Sequence, residues 1–158
     1  MSANDSYEVG YTTPEGSDVD QDVLYIGLDV PPSRRVFIAS RELLLTENSY
    51  TVELMTAANG FTGGVDGYKS ALDEGNVESV GSVVKFDCTP DGAETVNSSQ
   101  IVETGTAPGS AKTPTQNAPD DLLRSWTSSP MLKITRAAGG QPYRLSLQAI
   151  IYERSDNG

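Results

Sequence analysis

The chain reads as all-β: an antiparallel β-sandwich or jelly-roll-like domain with an extended N-terminal arm and long loops. Three observations predict it. Short runs rich in Val, Ile, Tyr and Phe recur between clusters of Gly, Pro, Asn and Asp. The clearest of these runs alternate apolar and polar residues with the period of a half-buried strand. Almost no stretch keeps the 3.6-residue spacing of an amphipathic helix. At 158 residues the chain fits one domain of ordinary size. It divides into an acidic arm over 1–22, a sandwich over 23–154 and a short tail over 155–158.

Taken in order, residues 1–20 mix Ser, Thr, Gly and acidic side chains around three apolar anchors, Tyr7, Val9 and Tyr11. That composition is too poor in apolar surface to order itself alone, so an arm ordered by contact is expected. Val23 to Leu28, bounded by Asp22 and by Pro31-Pro32, predicts the first strand. Arg35 to Ser40 predicts a second, and Leu43-Leu44-Leu45 carries its apolar character to a turn at Glu47-Asn48-Ser49. In Tyr50-Thr51-Val52-Glu53-Leu54-Met55, Tyr50, Val52 and Leu54 face one way while Thr51 and Glu53 face the other.

Glycines at 60, 63, 64, 67 and 75 mark a long connection, with one or two helical turns expected around Tyr68 to Leu72. Ser82 to Cys88 and Gln100 to Thr104 predict two further strands. Gly105 to Pro119, without a large apolar residue, predicts a second long loop. Asp120 to Trp126 fits either a short aspartate-capped helix or an irregular entry to the next strand. Met131 to Arg136 and Tyr143 to Tyr152 read as a hairpin around Gly139-Gly140. Leu132, Ile134, Tyr143, Leu145 and Leu147 would face the core of that hairpin, and Lys133, Arg144, Ser146 and Gln148 water. The alternation breaks at Ile150-Ile151, which implies a bulge or burial on both faces.

The chain has no histidine, one cysteine, 22 Asp plus Glu and 11 Lys plus Arg, for a net charge of -11. Without imidazole there is no Ser-His-Asp or Cys-His nucleophile and no His-ligated zinc. Cys88 alone can form neither an intrachain disulfide nor a thiolate cluster, and it reads as a small buried hydrophobe. Residues 1–33 carry seven carboxylates and no Lys or Arg, whereas Met131 to Arg154 is locally basic. This asymmetry suits association with another protein surface, and the acidity opposes nucleic-acid binding. No run approaches the roughly 18 to 20 apolar residues of a membrane helix, and the first residues resemble no secretory leader. No nucleic-acid or membrane partner is therefore expected.

Asp18-Val19-Asp20-Gln21-Asp22 opens like a calcium loop, but Val23 stands where the turn glycine belongs and Asp29 where a bidentate Glu belongs. No metal and no cofactor are expected. Asp73-Glu74, Asp120-Asp121 and Glu42 with Glu47 could be glycosidase carboxylate pairs, yet nothing singles them out and no catalytic residue is expected. Gly60-Phe61-Thr62-Gly63-Gly64 lacks the Lys-Ser or Lys-Thr of a phosphate loop. Trp126, Tyr68, Phe61 and Tyr25 would make a sugar-stacking platform if exposed together, although aromatic residues in a small β-domain more commonly serve the core or a subunit interface.

The order of segments resembles small accessory virion proteins of tailed bacteriophages. The resemblance rests on the acidic arm, Asp20-Gln21-Asp22-Val23-Leu24-Tyr25-Ile26-Gly27, the strand Arg35 to Arg41, the strand Tyr50 to Met55, Gly60-Phe61-Thr62-Gly63-Gly64, and the close Tyr152-Glu153-Arg154. It implies a capsid decoration, or cement, protein, made in the host cytoplasm and carried on the capsid exterior. Such a protein would be a homotrimer seated where major capsid protein subunits meet, bridging them with its arm. Tyr7, Val9 and Tyr11 would then anchor the arm, and Asp18, Asp20 and Asp22 would steer it to basic capsid surface. The alternatives are a tail or connector component and a carbohydrate- or receptor-binding module.

Overall fold

The computed structural model describes residues 5–71, 81–103, 111–112, 125–126 and 129–155. Every regular element among them is a strand: β1 (Asp5–Thr12), β2 (Val23–Asp29), β3 (Arg34–Thr46), β4 (Ser49–Ala57), β5 (Phe61–Thr62), β6 (Val65–Asp66), β7 (Tyr68–Ala71), β8 (Val83–Phe86), β9 (Thr89–Pro90), β10 (Glu94–Glu103), β11 (Ala111–Lys112), β12 (Ser125–Trp126), β13 (Met131–Arg136) and β14 (Leu145–Ser155). The first sheet runs β11-β3-β14-β1-β7, with β12 also on β3, and the second runs β10-β4-β13-β2-β8-β6. β5 and β9 form a separate two-stranded ribbon. All the pairings are antiparallel.

The pairing follows one rule. β1 pairs with β14, β2 with β13, β3 with β11 and β12, and β4 with β10. Each strand meets its counterpart counted from the other end of the chain, as in one long hairpin rolled into two sheets. This is the jelly-roll order, with β5 to β9 inserted between the fourth and fifth strands of the roll.

Period-2 alternation builds the core between the sheets. Leu24 and Ile26 on β2, Tyr50, Val52 and Leu54 on β4, and Leu132 and Ile134 on β13 point inward, facing Val9, Val36, Leu43, Leu45, Leu145, Leu147 and Ile151 of the first sheet. On β3 the inward parity shifts between Ile38 and Leu43. The pairing shows why: Ile150 faces Ser40 and Ile151 faces Ile38, so Ala39 is an extra residue and the strand bulges there. The break in alternation at Ile150-Ile151 marks this irregularity.

Three expectations are corrected. Met131–Arg136 and the strand after Tyr143 do not form a hairpin, because β13 lies in the second sheet and β14 in the first. Their connection is an arch that includes the buried Tyr143 and crosses the roughly 10 Å between stacked sheets. The alternation itself is correct, but the two apolar faces meet across the core instead of lying side by side. Residues 5–12 are not a separate arm but β1, a strand flanked on both sides by β14 and β7. Tyr68–Ala71 is strand β7, not a helical turn, and Leu72 lies outside the described residues. β10 begins at Glu94, ahead of the expected strand over Gln100 to Thr104. Most of Gly105 to Pro119 and of Asp120 to Trp126 lies outside the described residues; the parts within them, Ala111–Lys112 and Ser125–Trp126, are short strands on β3.

Candidate interaction surface

The six residues expected to bind a partner are used by the domain itself. Val9 is 0% exposed and Tyr7 is buried, both in the main core. Tyr11 stacks on Phe86 of β8 with ring centroids 4.2 Å apart. Beyond β1, Thr13 Oγ1 accepts from Leu145 N at 3.1 Å, and Val19 and Tyr143 exchange backbone hydrogen bonds. The acidic run then meets two arginines. Arg136 Nε donates to Asp22 at 3.0 Å, Nη2 to Asp20 at 3.1 Å and Nη1 to the Gln141 carbonyl at 3.0 Å. Arg144 Nε lies 3.4 Å from Asp18. Hydrogen bonding to Asp22, then to Asp20, pushes the Arg136 guanidinium further above its ordinary pKa. Among the described residues no group of three or more His, Cys, Asp or Glu could hold a metal ion.

Arg136 is the residue that sequence reasoning missed. It continues the inward parity of Leu132 and Ile134, so a charge falls on a buried face, and such a charge requires acidic partners. That parity was the available signal. Around it, Asn48 clamps two arches: its Nδ2 donates to the Gln141 carbonyl at 2.8 Å and its Oδ1 accepts from Gln141 N at 3.0 Å. Tyr50 Oη donates to the Thr46 carbonyl, and the Tyr50 ring packs edge-on against Tyr143 at 5.1 Å. Burial pushes Tyr50 up to about 12 and Tyr143 higher still.

The remaining sequence candidates do not converge. Cys88 is buried, and desolvation raises its thiol to about 11, so the nucleophilic thiolate is suppressed at neutral pH. Phe61 and Tyr25 pack with Met55, Cys88 and Met131 on the outside of the second sheet. Gly27 makes that cover possible, since a Cβ there would lie 2.3 Å from the Phe61 ring. Tyr68 belongs to the first sheet, so the three tyrosine and phenylalanine rings do not share one platform. Asp73-Glu74 and Asp120-Asp121 lie outside the described residues, as does the Trp126 side chain. Glu42 is exposed on β3, and Glu47 occupies the tight turn into β4. Among the described residues the buried carboxylate is Glu153, which accepts from Gly81 N at 2.8 Å, Ser82 N at 2.9 Å and Ser82 Oγ, and so fastens the start of β8 to β14.

What the domain leaves open lies on the second sheet. Ile101, Thr51, Thr135 and Val23 form one cross-strand row in direct register across β10, β4, β13 and β2. All four are β-branched, which makes the row flat and stiff. Ile101 is 74% exposed and Val23 40%. A groove of about 260 Å³ lies beside Ile101, lined also by Ser49, Tyr50, Thr51, Thr135, Arg136 and Ala137. The next row is polar: Ser99, Glu53, Lys133 and Tyr25. There Lys133 sits 5.7 Å from the Tyr25 ring centroid and 3.9 Å from Glu94.

Five cations are paired within the domain. Arg136, Arg144, Lys85, Lys133 and Arg34 each pair with a carboxylate of the same chain. The chain as a whole keeps an excess of carboxylates, with a net charge of -11.

Comparison with protein-family models, with curated proteins and with solved structures found no match to this chain.

Proposed function

We propose that the chain is a structural virion protein, a capsid decoration (cement) protein that binds where major capsid protein subunits meet and stabilises the phage head. A jelly roll serves many unrelated roles, so the surface must carry the reading. The observation that carries it is the β-branched row Ile101-Thr51-Thr135-Val23, exposed at its two ends, on a domain in which Arg34, Lys85, Lys133, Arg136 and Arg144 pair with carboxylates of the same chain. A flat strip with an exposed apolar residue at each end, on a chain of net charge -11, fits a protein surface of basic character. The order of segments along the sequence supports the same reading.

On this reading adhesion resides in the folded head of the molecule, not in a free arm. The protein acts as a homotrimer on the capsid exterior, and many copies add modest contacts through effective concentration. The test is co-sedimentation with DNA-free heads that lack the protein, together with the solution mass by light scattering. Saturable binding that raises the temperature of head disruption is expected. Failure to bind heads, combined with saturable glycan binding, would replace this reading by a receptor-binding module.

A further inference from the structure

Sulfur is segregated in this molecule. The chain has one cysteine and three methionines, and apart from Met1 all of them meet in one place. Met55 on β4, Met131 on β13 and Cys88, between β8 and β9, form a small cluster on the outside of the second sheet, 0%, 1% and 3% exposed. Among the described residues the buried core between the sheets is Leu, Ile, Val, Tyr and Ala, without sulfur. Met55 and Met131 are cross-strand partners in direct register, which sets their Cβ atoms about 4.5–5.5 Å apart. A turn through Asp87, whose φ of 62° is left-handed and uncommon for a residue with a side chain, delivers Cys88 to this pair. Two hydrogen bonds hold the turn: Cys88 N donates to the Tyr25 carbonyl at 3.1 Å and Gln21 Nε2 to Asp87 Oδ1 at 2.9 Å. A cover closes the cluster. The β4–β10 ladder continues past Ala57 and Glu94, with Ala58 N donating to the Ala93 carbonyl and Asn59 N to the Asp91 carbonyl, into the β5–β9 ribbon. There Phe61 packs onto Gly27, the cross-strand neighbour of Met131.

We propose that Met55, Met131 and Cys88 form a binding site for one soft monovalent metal ion of the Cu(I) type, beneath the β5–β9 ribbon. Two thioethers and a thiolate are the donor set that selects such an ion over harder cations. Charge points the same way. A monovalent ion on one thiolate is neutral, whereas a divalent ion would leave net positive charge in an apolar site. Desolvation raises the Cys88 thiol to about 11, so the ion binds by displacing a proton. The S–H bond breaks, the sulfur–metal bond forms, the proton passes to solvent and no electron is transferred. The ribbon and Phe61 must move aside to admit the ion, and the bound ion then ties β4, β13 and the Cys88 turn together. The inference goes beyond the adhesive reading and does not depend on it.

The test uses the full chain, reduced and free of oxygen, titrated with Ag(I) as a redox-stable probe and then with Cu(I) delivered from a chromophoric chelator. Zn(II) is the control. We expect one Ag(I) per chain, release of one proton, a raised thermal midpoint and no binding of Zn(II). In wild-type protein carrying carbon-13 at the methionine methyl groups, Ag(I) should shift the signals of Met55 and Met131 and leave that of Met1. Met55→Leu and Met131→Leu nearly conserve volume. Each should weaken Ag(I) binding by at least about tenfold, a loss that even a change outside the ligand shell can bring at a metal site. Cys88→Ala should abolish the proton release. Unshifted Met55 and Met131 signals in the wild-type protein overturn the proposal, because the methionines are then packing alone. Undiminished affinity in the chain with both methionines replaced, or binding of Zn(II) as tight as that of Ag(I), overturns it equally.

Discussion

Strands β1 and β10 look alike in composition and have opposite fates. Each is polar, carries carboxylates and holds only three large apolar residues: Tyr7, Val9 and Tyr11 in one, Val96, Ile101 and Val102 in the other. β1 has neighbours on both sides, and its anchors stand at alternate positions, so all three contribute to the interior packing. Among the described residues β10 has one neighbour, and its apolar residues fall on both faces: Val102 is buried while Val96 and Ile101 are exposed. The difference teaches that the number of apolar residues does not decide between arm and strand. Their parity and the number of paired edges do. Acidity is no better guide, since Asp18, Asp20 and Asp22 are engaged by arginines of the same chain.

Deleting residues 1–12 should break the comparison most severely. The deletion strips a strand with neighbours on both sides from the first sheet and opens the core around Val9, a loss on the scale of the roughly 5–15 kcal/mol that stabilises a typical domain. Circular dichroism and denaturant titration should show an unfolded chain. A truncated protein that keeps a cooperative transition would restore the arm as a separate element.

A smaller effect is expected at the fastening of β8. Glu153→Gln keeps the shape but places an amide NH2 against the donors of Gly81 and Ser82, and should cost about 2 kcal/mol by denaturant unfolding.

Much of this fold is legible in the sequence because alternation is local. The strands over 23–28 and 50–55, one within 82–88, the inward set Leu132, Ile134, Leu145 and Leu147, the buried Cys88 and the irregularity at Ile150-Ile151 all follow from which neighbours are apolar. Which strands pair is not local. Met131–Arg136 and Leu145–Ser155 would show the same alternation as a hairpin or as two walls of a sandwich, and only the arch through Tyr143 distinguishes them. The candidate surface was hidden for the same reason. Ile101, Thr51, Thr135 and Val23 are scattered over the chain and become one row only when the register is known.

Alkaline pH should probe the arch end of the core. Burial holds Tyr50 at about 12 and Tyr143 higher, above the roughly 10 of an unfolded tyrosine. The folded state therefore keeps protons that the unfolded chain releases, so this contribution is intact below pH about 10 and is lost as pH rises from there toward 12. Absorbance at 295 nm against pH should show tyrosines that ionise only as the domain unfolds. Tyr143→Phe separates the two rings: its hydroxyl is buried without a hydrogen-bond partner among the described residues. Its removal should be neutral or stabilising by up to about 1 kcal/mol.

On the exposed row the effect on stability should be smallest and the effect on binding largest. Ile101→Lys should change stability by less than about 0.5 kcal/mol, and Asp18→Asn, at an exposed pair with Arg144, should be similarly mild. The two variants oppose the two accounts of adhesion, one on the folded sheet and one on an acidic arm. The decisive measurement is their co-sedimentation with DNA-free heads beside the wild-type protein. Adhesion through the second sheet predicts that Asp18→Asn binds at wild-type occupancy and Ile101→Lys does not. Full binding by Ile101→Lys with loss in Asp18→Asn would contradict it.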